Sequence, residues 1–134
     1  MGNKSSSQQQ PSAPGPIGFW YSEIEHPDLP MPKAGAQDNK AFVAALRVVE
    51  AYLDGLDVDE PSKDKDGMTH YRGHAPCRLC DKQDNGAKEY FFRGFQWPEG
   101  LGHYLESHGL SEKDHPTMPL AAFRKAVMEF KPPA

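Results

Sequence analysis

Residues 77–109 read CRLCDKQDNGAKEYFFRGFQWPEGLGHYLESHG, and the two ends of this stretch decide the fold. Cys77 and Cys80 open it with two residues between them, and His103 and His108 close it with four. All four side chains carry soft or borderline donor atoms, and a tetrahedral zinc ion takes four of these. A two-residue gap lets both sulfurs face inward from one tight knuckle. The order is a thiolate pair, a strand, then an imidazole pair near a helix C-terminus. The spacing therefore predicts one structural zinc ion held by Cys77, Cys80, His103 and His108. The histidines pose a geometric problem, because side chains five positions apart on a regular helix diverge by about 140°. Gly109 is expected to relieve it by letting the last turn tighten or unwind.

Short strands are expected over 68–74 and 87–93, flanking the cysteines and the turn Asp84-Asn85-Gly86. The second carries Tyr90, Phe91 and Phe92, with aromatics on both faces, so something should cover each side. Pro98 fits the first position of a helix running to about His108. Gly109 then supplies the left-handed cap, and Leu110 the apolar contact after it. Upstream, Phe42, Ala45, Leu46, Val49, Tyr52 and Leu53 recur at helical spacing. They predict an amphipathic helix over about 38–53, with Asp38 as N-cap and Gly55 as terminator. Leu120, Phe123, Val127 and Phe130 form the stripe of a last helix over about 119–130. The expected class is α+β: a zinc-stapled β-hairpin plus helix with flanking N- and C-terminal helices. Three segments follow: a tail (1–16), an arm, helix and acidic linker (17–66), and a zinc-binding part with the last helix (67–134).

Over residues 68–110 the chain resembles zinc fingers of the ββα type, with two cysteine and two histidine ligands. In that family an aromatic residue and a leucine form a minimal core, and Phe95 and Leu101, with five residues between them, match the spacing. Two departures matter. The pairs are separated by 22 residues, where a finger has about a dozen. A single residue separates Leu101 from His103, where the family has two, so the family's base contacts do not transfer. The string CRLC…NG…EY…WPEGLGHYLESHG is also similar to small bacterial and phage-type proteins. That likeness implies a zinc-binding fold and no particular activity.

Composition narrows the function classes. The chain has 134 residues, 37% of them hydrophobic, two cysteines and a formal net charge of -4. Two cysteines in one knuckle are no disulfide framework, which points to a reducing setting, cytoplasmic or nuclear. No apolar run is long enough for a transmembrane helix, and residues 1–16 lack the apolar centre of a signal peptide. Residues 67–134 hold 9 Lys/Arg against 8 Asp/Glu. Arg72, Arg78, Lys82, Lys88 and Arg93 are scattered through this part rather than packed into a basic patch, so nucleic acid is not the expected partner. A redox dithiol belongs at a helix N-terminus, whereas a turn follows Cys80. A calcium loop from Asp81 would need a carboxylate at its twelfth position, which is Phe92. His26, His70, His74 and His115 read as bystanders, with His74 near enough to Cys77 to substitute as a ligand.

The amino terminus, Met1-Gly2-Asn3-Lys4-Ser5-Ser6, matches the N-myristoylation pattern at Gly2. One such chain gives only reversible membrane association. Residues 1–16 contain no hydrophobic residue beyond Met1 and Ala13, so they are expected to be disordered. Four protein ligands leave no position for water, so the expected role is a non-enzymatic module for a protein partner. The proline-rich arm (26–35), Trp20 and Trp97 would offer contact surface; the alternative is that both tryptophans are core, which is favoured for Trp97 beside Pro98. The competing readings are a three-ligand zinc hydrolase with Glu99 or Glu106 as base, and a nucleic-acid-binding zinc finger that uses the scattered basic residues.

Overall fold

In a computed structural model the chain forms α1 (Lys40–Asp54), β1 (Gly67–His70), β2 (Lys88–Phe92), β3 (Phe95–Pro98), α2 (Leu101–His108) and α3 (Leu120–Glu129). The structure describes residues 17–20, 23–24, 27–70, 76–82, 85–116 and 118–133. Gly2 with the whole 1–16 tail, residues 71–74 of the expected first strand, Arg72, His26 and His74 lie outside these. Among the described residues, three helices and an antiparallel sheet make the α+β class expected from the pattern.

α1 and α3 lie where the periodicity places them. Phe42, Val43, Leu46, Val49 and Leu53 bury one face of α1, and Leu120, Phe123 and Val127 one face of α3. The start of α1 differs by one residue. Asn39 occupies the N-cap position, and Asp38 Oδ1 accepts the Lys40 N–H at 3.0 Å.

The sheet runs β1-β2-β3. β1 pairs with β2 from Gly67↔Phe91 to His70↔Lys88, so the two expected strands do meet around the cysteine loop. β3 is unanticipated, and with it the helix start at Pro98 is corrected. Pro98 ends β3 opposite Glu89, and α2 begins at Leu101. A proline pushes its predecessor toward extended geometry, and a strand at the sheet's edge tolerates its missing donor. Trp97 thereby faces Tyr90 in register, fully buried. The β2–β3 turn is the two-residue loop Arg93-Gly94, with φ of 50° and 87°. Left-handed geometry at both positions matches the twist of a hairpin. Arg93 adopts it while its N–H donates to Asp66 Oδ1 at 2.8 Å. Asn85-Gly86, the stronger hairpin signal in sequence, instead docks on the start of α2. Asn85 Nδ2 donates to Gly100 O at 3.4 Å, and the Ala87 N–H to Glu99 Oε1 at 2.9 Å.

One aromatic core joins all these elements except β1, which contributes the half-buried Met68 at its margin. Trp97 lies 4.8 Å from Phe123 and stacks on Tyr90 at 5.6 Å, centroid to centroid. Phe95 and Leu101 are buried in it, as the finger-type pair would be, but within a far larger cluster. Trp20 corrects the expectation of a contact surface. It is buried, with its ring 5.2 Å from Tyr104 and 5.7 Å from His115.

Two polar side chains are built into this interior. Asn39 Nδ2 donates to Leu105 O and Leu110 O, each at 2.9 Å. Its Oδ1 accepts from Gln37 Nε2 and Arg124 Nη2, also at 2.9 Å, so one amide joins α1 to the end of α2 and to α3. Glu50 Oε2 accepts from Trp97 Nε1 at 3.0 Å, and Oε1 accepts from Arg47 Nη1 at 3.2 Å. Burial pushes the Glu50 carboxyl up to about 7, although Trp97 and Arg47 both pull it down. Tyr90 donates to Asp54 Oδ1 at 3.1 Å, and burial, with Glu50 and Asp54 nearby, raises its phenol well above the usual range.

Candidate metal centre

The knuckle closes on itself before it meets anything else. The Cys77 N–H donates to Lys82 O at 2.9 Å, which turns the chain back after Cys80. Within the loop the Leu79 N–H donates to Cys77 Sγ at 3.3 Å.

The histidine divergence is not relieved by tightening or unwinding the helix. α2 stays helical through His108, and Gly109, at φ 59°, follows it as the left-handed cap. The knuckle instead straddles the wedge between the two side chains. At about 100° per residue, Tyr104 falls inside that wedge. Its ring lies 6.1 Å from His103 and 6.1 Å from His108. Its hydroxyl accepts the Arg78 N–H at 2.7 Å, which centres the knuckle over the helix. Cys80 Sγ then reaches His103 Nε2 at 3.3 Å on one side, and Cys77 Sγ reaches His108 Nε2 at 3.5 Å on the other. The imidazole rings stand 5.0 Å apart with planes at 88°.

These separations fit an ion between the four groups. One donor atom from each of Cys77, Cys80, His103 and His108 lies within 4.8 Å of all the others. A tetrahedral ion with bonds of about 2.3 Å to sulfur and 2.0–2.1 Å to nitrogen requires sulfur–nitrogen edges of about 3.6 Å. The Cys77–His108 and Cys80–His103 contacts are both close to that edge. Cys77 is buried, His103 and His108 are half-buried, and Cys80 is exposed. Burial lowers the His103 pKa, with His108, Lys82 and Arg47 adding to the effect. That keeps the ring neutral, as ligation needs. Burial pushes the Tyr104 phenol up to about 12, so it remains a hydroxyl.

The arm completes the setting. The Gly35 N–H donates to His108 O at 2.8 Å and the Gln37 N–H to Gly109 O at 3.2 Å, so carbonyls at the end of α2 find partners here. A Cβ on Gly109 would stand 2.6 Å from Gly35 O, so glycine is needed for this approach as well as for the positive φ. His115, expected as a bystander, is buried and brackets the arm. Its Nε2 accepts the Lys33 N–H at 3.1 Å, which leaves Nδ1 to donate to Ser111 O at 2.9 Å. His115 and Gly35 carry no motif, and only the contact between arm and helix shows their work.

A cleft of about 610 Å³ lies beside the cluster, lined by Arg47, His70, Lys82, Lys88, Glu99 and Glu106 among others. Of the four donor residues it meets only His103. Glu99 accepts a backbone N–H in its wall, and Glu106 is exposed. No family model matches the chain, and comparison with curated proteins and with solved structures finds no match either. What stands of the finger likeness is the ligand group itself: two cysteines and two histidines placed so that they could hold a metal ion. No helix among the described residues is long and apolar enough to cross a membrane.

Proposed function

We propose that the chain is a non-enzymatic zinc protein whose four-ligand centre pins the knuckle to α2 and so shapes a protein-interaction module. The observation that carries this reading is the convergence of four donor atoms within 4.8 Å of one another. Zinc supplies a redox-inert tetrahedral crosslink when bound. Cys77 and Cys80 serve as thiolates, His103 and His108 through Nε2, and Tyr104 holds the knuckle in place. Four protein donors leave no position for an activated water, so Glu99 and Glu106 have none to serve as bases. Val48 on α1 and Met128 on α3, each about half exposed, offer apolar contact to a partner. Lys88 is engaged with Asp54 at 3.3 Å and Arg93 lies over the Phe92 ring, which favours a protein partner over nucleic acid. Reversible attachment at Gly2 rests on the terminal pattern alone, and the intact mass of native protein tests it.

Metal analysis of the purified chain tests the centre. One zinc per chain is expected, lost in Cys80→Ala and His103→Ala. Intact folding with no uptake of zinc overturns the reading. Pull-down with and without a chelator tests the module, since a partner that recognises the stapled surface is released by chelation.

A further inference from the structure

Building on the zinc reading above, we propose that Cys80 is an oxidation site. A peroxide oxidises its thiolate, Cys77 resolves the product as a disulfide, and the metal centre opens. The two sulfurs are not equivalent. Cys80 is exposed and Cys77 is buried, so an oxidant arriving from solvent meets Cys80 first. The chain contains only these two cysteines, and their sulfurs lie within 4.8 Å of each other. An oxidised Cys80 therefore has one intramolecular resolving partner, already beside it in the same knuckle. Cys80 Sγ lies 3.3 Å from His103 Nε2, so a change at this sulfur falls directly on the donor set.

The chemistry balances in two steps. The Cys80 thiolate attacks a peroxide oxygen: a sulfur–oxygen bond forms, the oxygen–oxygen bond breaks, hydroxide leaves, and the sulfur becomes a sulfenic acid. The Cys77 thiolate then attacks that sulfur: a sulfur–sulfur bond forms, the sulfur–oxygen bond breaks, and a second hydroxide leaves. The two thiolates have supplied two electrons, and hydrogen peroxide is reduced to two hydroxide ions. Both sulfur donors are lost together, and two imidazoles remain. The Asn39 bonds and the arm still hold the far side of α2, so opening is confined to the knuckle.

The test uses the zinc-loaded full chain exposed to graded hydrogen peroxide. Released metal is read with a chromogenic chelator and covalent change by mass. Met31 and Met128, both about half exposed, serve as internal dosimeters. Metal release and a mass lower by two hydrogens are expected together, at least about tenfold ahead of sulfoxide at either methionine. Trypsin cuts after Arg78 and puts Cys77 and Cys80 on separate peptides, so a linked pair identifies the disulfide. A sulfenic-acid probe should mark the Cys80 peptide before the Cys77 peptide. A thiol reductant with added zinc should restore the loaded chain. Methionine sulfoxide accumulating while metal stays bound overturns the proposal and leaves the zinc reading intact, as does first labelling at Cys77. A chain that takes up no zinc before peroxide is added overturns both.

Discussion

Along one flank of α2, His103, Tyr104 and His108 meet the knuckle through four donor atoms and one hydroxyl, with Cys80 open to solvent. Along the other, Leu101 and Leu105 sink into the aromatic core, and Asn39 bonds to Leu105 O and Leu110 O. On the zinc reading proposed above, the cohesion of the first flank depends on a bound ion and on reduced sulfur. The second rests on packing and satisfied hydrogen bonds, which no ligand controls. A helix held in these two ways can release one side without losing the other.

The largest expected effect falls on the conditional flank. Cys77→Ala should lower zinc affinity by at least about a thousandfold, or roughly 4 kcal/mol, measured by chelator competition. Hydrogen-exchange protection should fall in the knuckle and persist in α1 and α3. Global loss of protection would erase the contrast between the flanks. On the other side, Trp97→Ala removes a fully buried aromatic and should cost about 3–5 kcal/mol in denaturant unfolding. Zinc stoichiometry under native conditions should be unchanged. Asn39→Ala strips the carbonyls of Leu105 and Leu110 of their donor and should cost about 2–4 kcal/mol. A loss well under 1 kcal/mol would mean that water replaces the amide.

The smallest effect separates the flanks by the sign of their pH response. The Glu50 carboxyl is raised from 4.5 to about 7 by burial, so the folded chain binds its proton more tightly than the unfolded chain. Its contribution is fully present below about pH 4.5, is lost as pH rises through 7, and amounts to roughly 2–3 kcal/mol across that window. The metal flank moves the other way, because protons compete with zinc for its ligands. Glu50→Gln should remove the loss on raising pH and leave the acid-induced release of metal unchanged. Unfolding curves of both chains at a series of pH values check this, and equal slopes would show that Glu50 does not titrate on folding.

Much of the grouping was legible because it is local. The two gaps in residues 77–109 announce pairs of donors, and α1 and α3 show their stripes at helical period. β3 escaped because Phe95–Pro98 is short and ends in proline, and only its register against β2 makes it a strand. The Arg93-Gly94 turn escaped because Asn85-Gly86 carried the stronger local signal. Asn39, Glu50 and His115 gave no sign of their roles, since their partners lie 66, 71, 47 and 82 residues away in sequence.

By itself the sequence determined which four side chains are suited to a metal and on which kinds of element they sit. Ligand spacing is written into a few consecutive bonds, and helical period into a few turns. The tertiary structure decided the rest: that Cys77 faces His108 and Cys80 faces His103, that Tyr104 fills the wedge between them, and that only one of the two sulfurs is exposed. Those outcomes depend on how segments distant in the chain pack together, and burial is a property of that packing rather than of any residue alone.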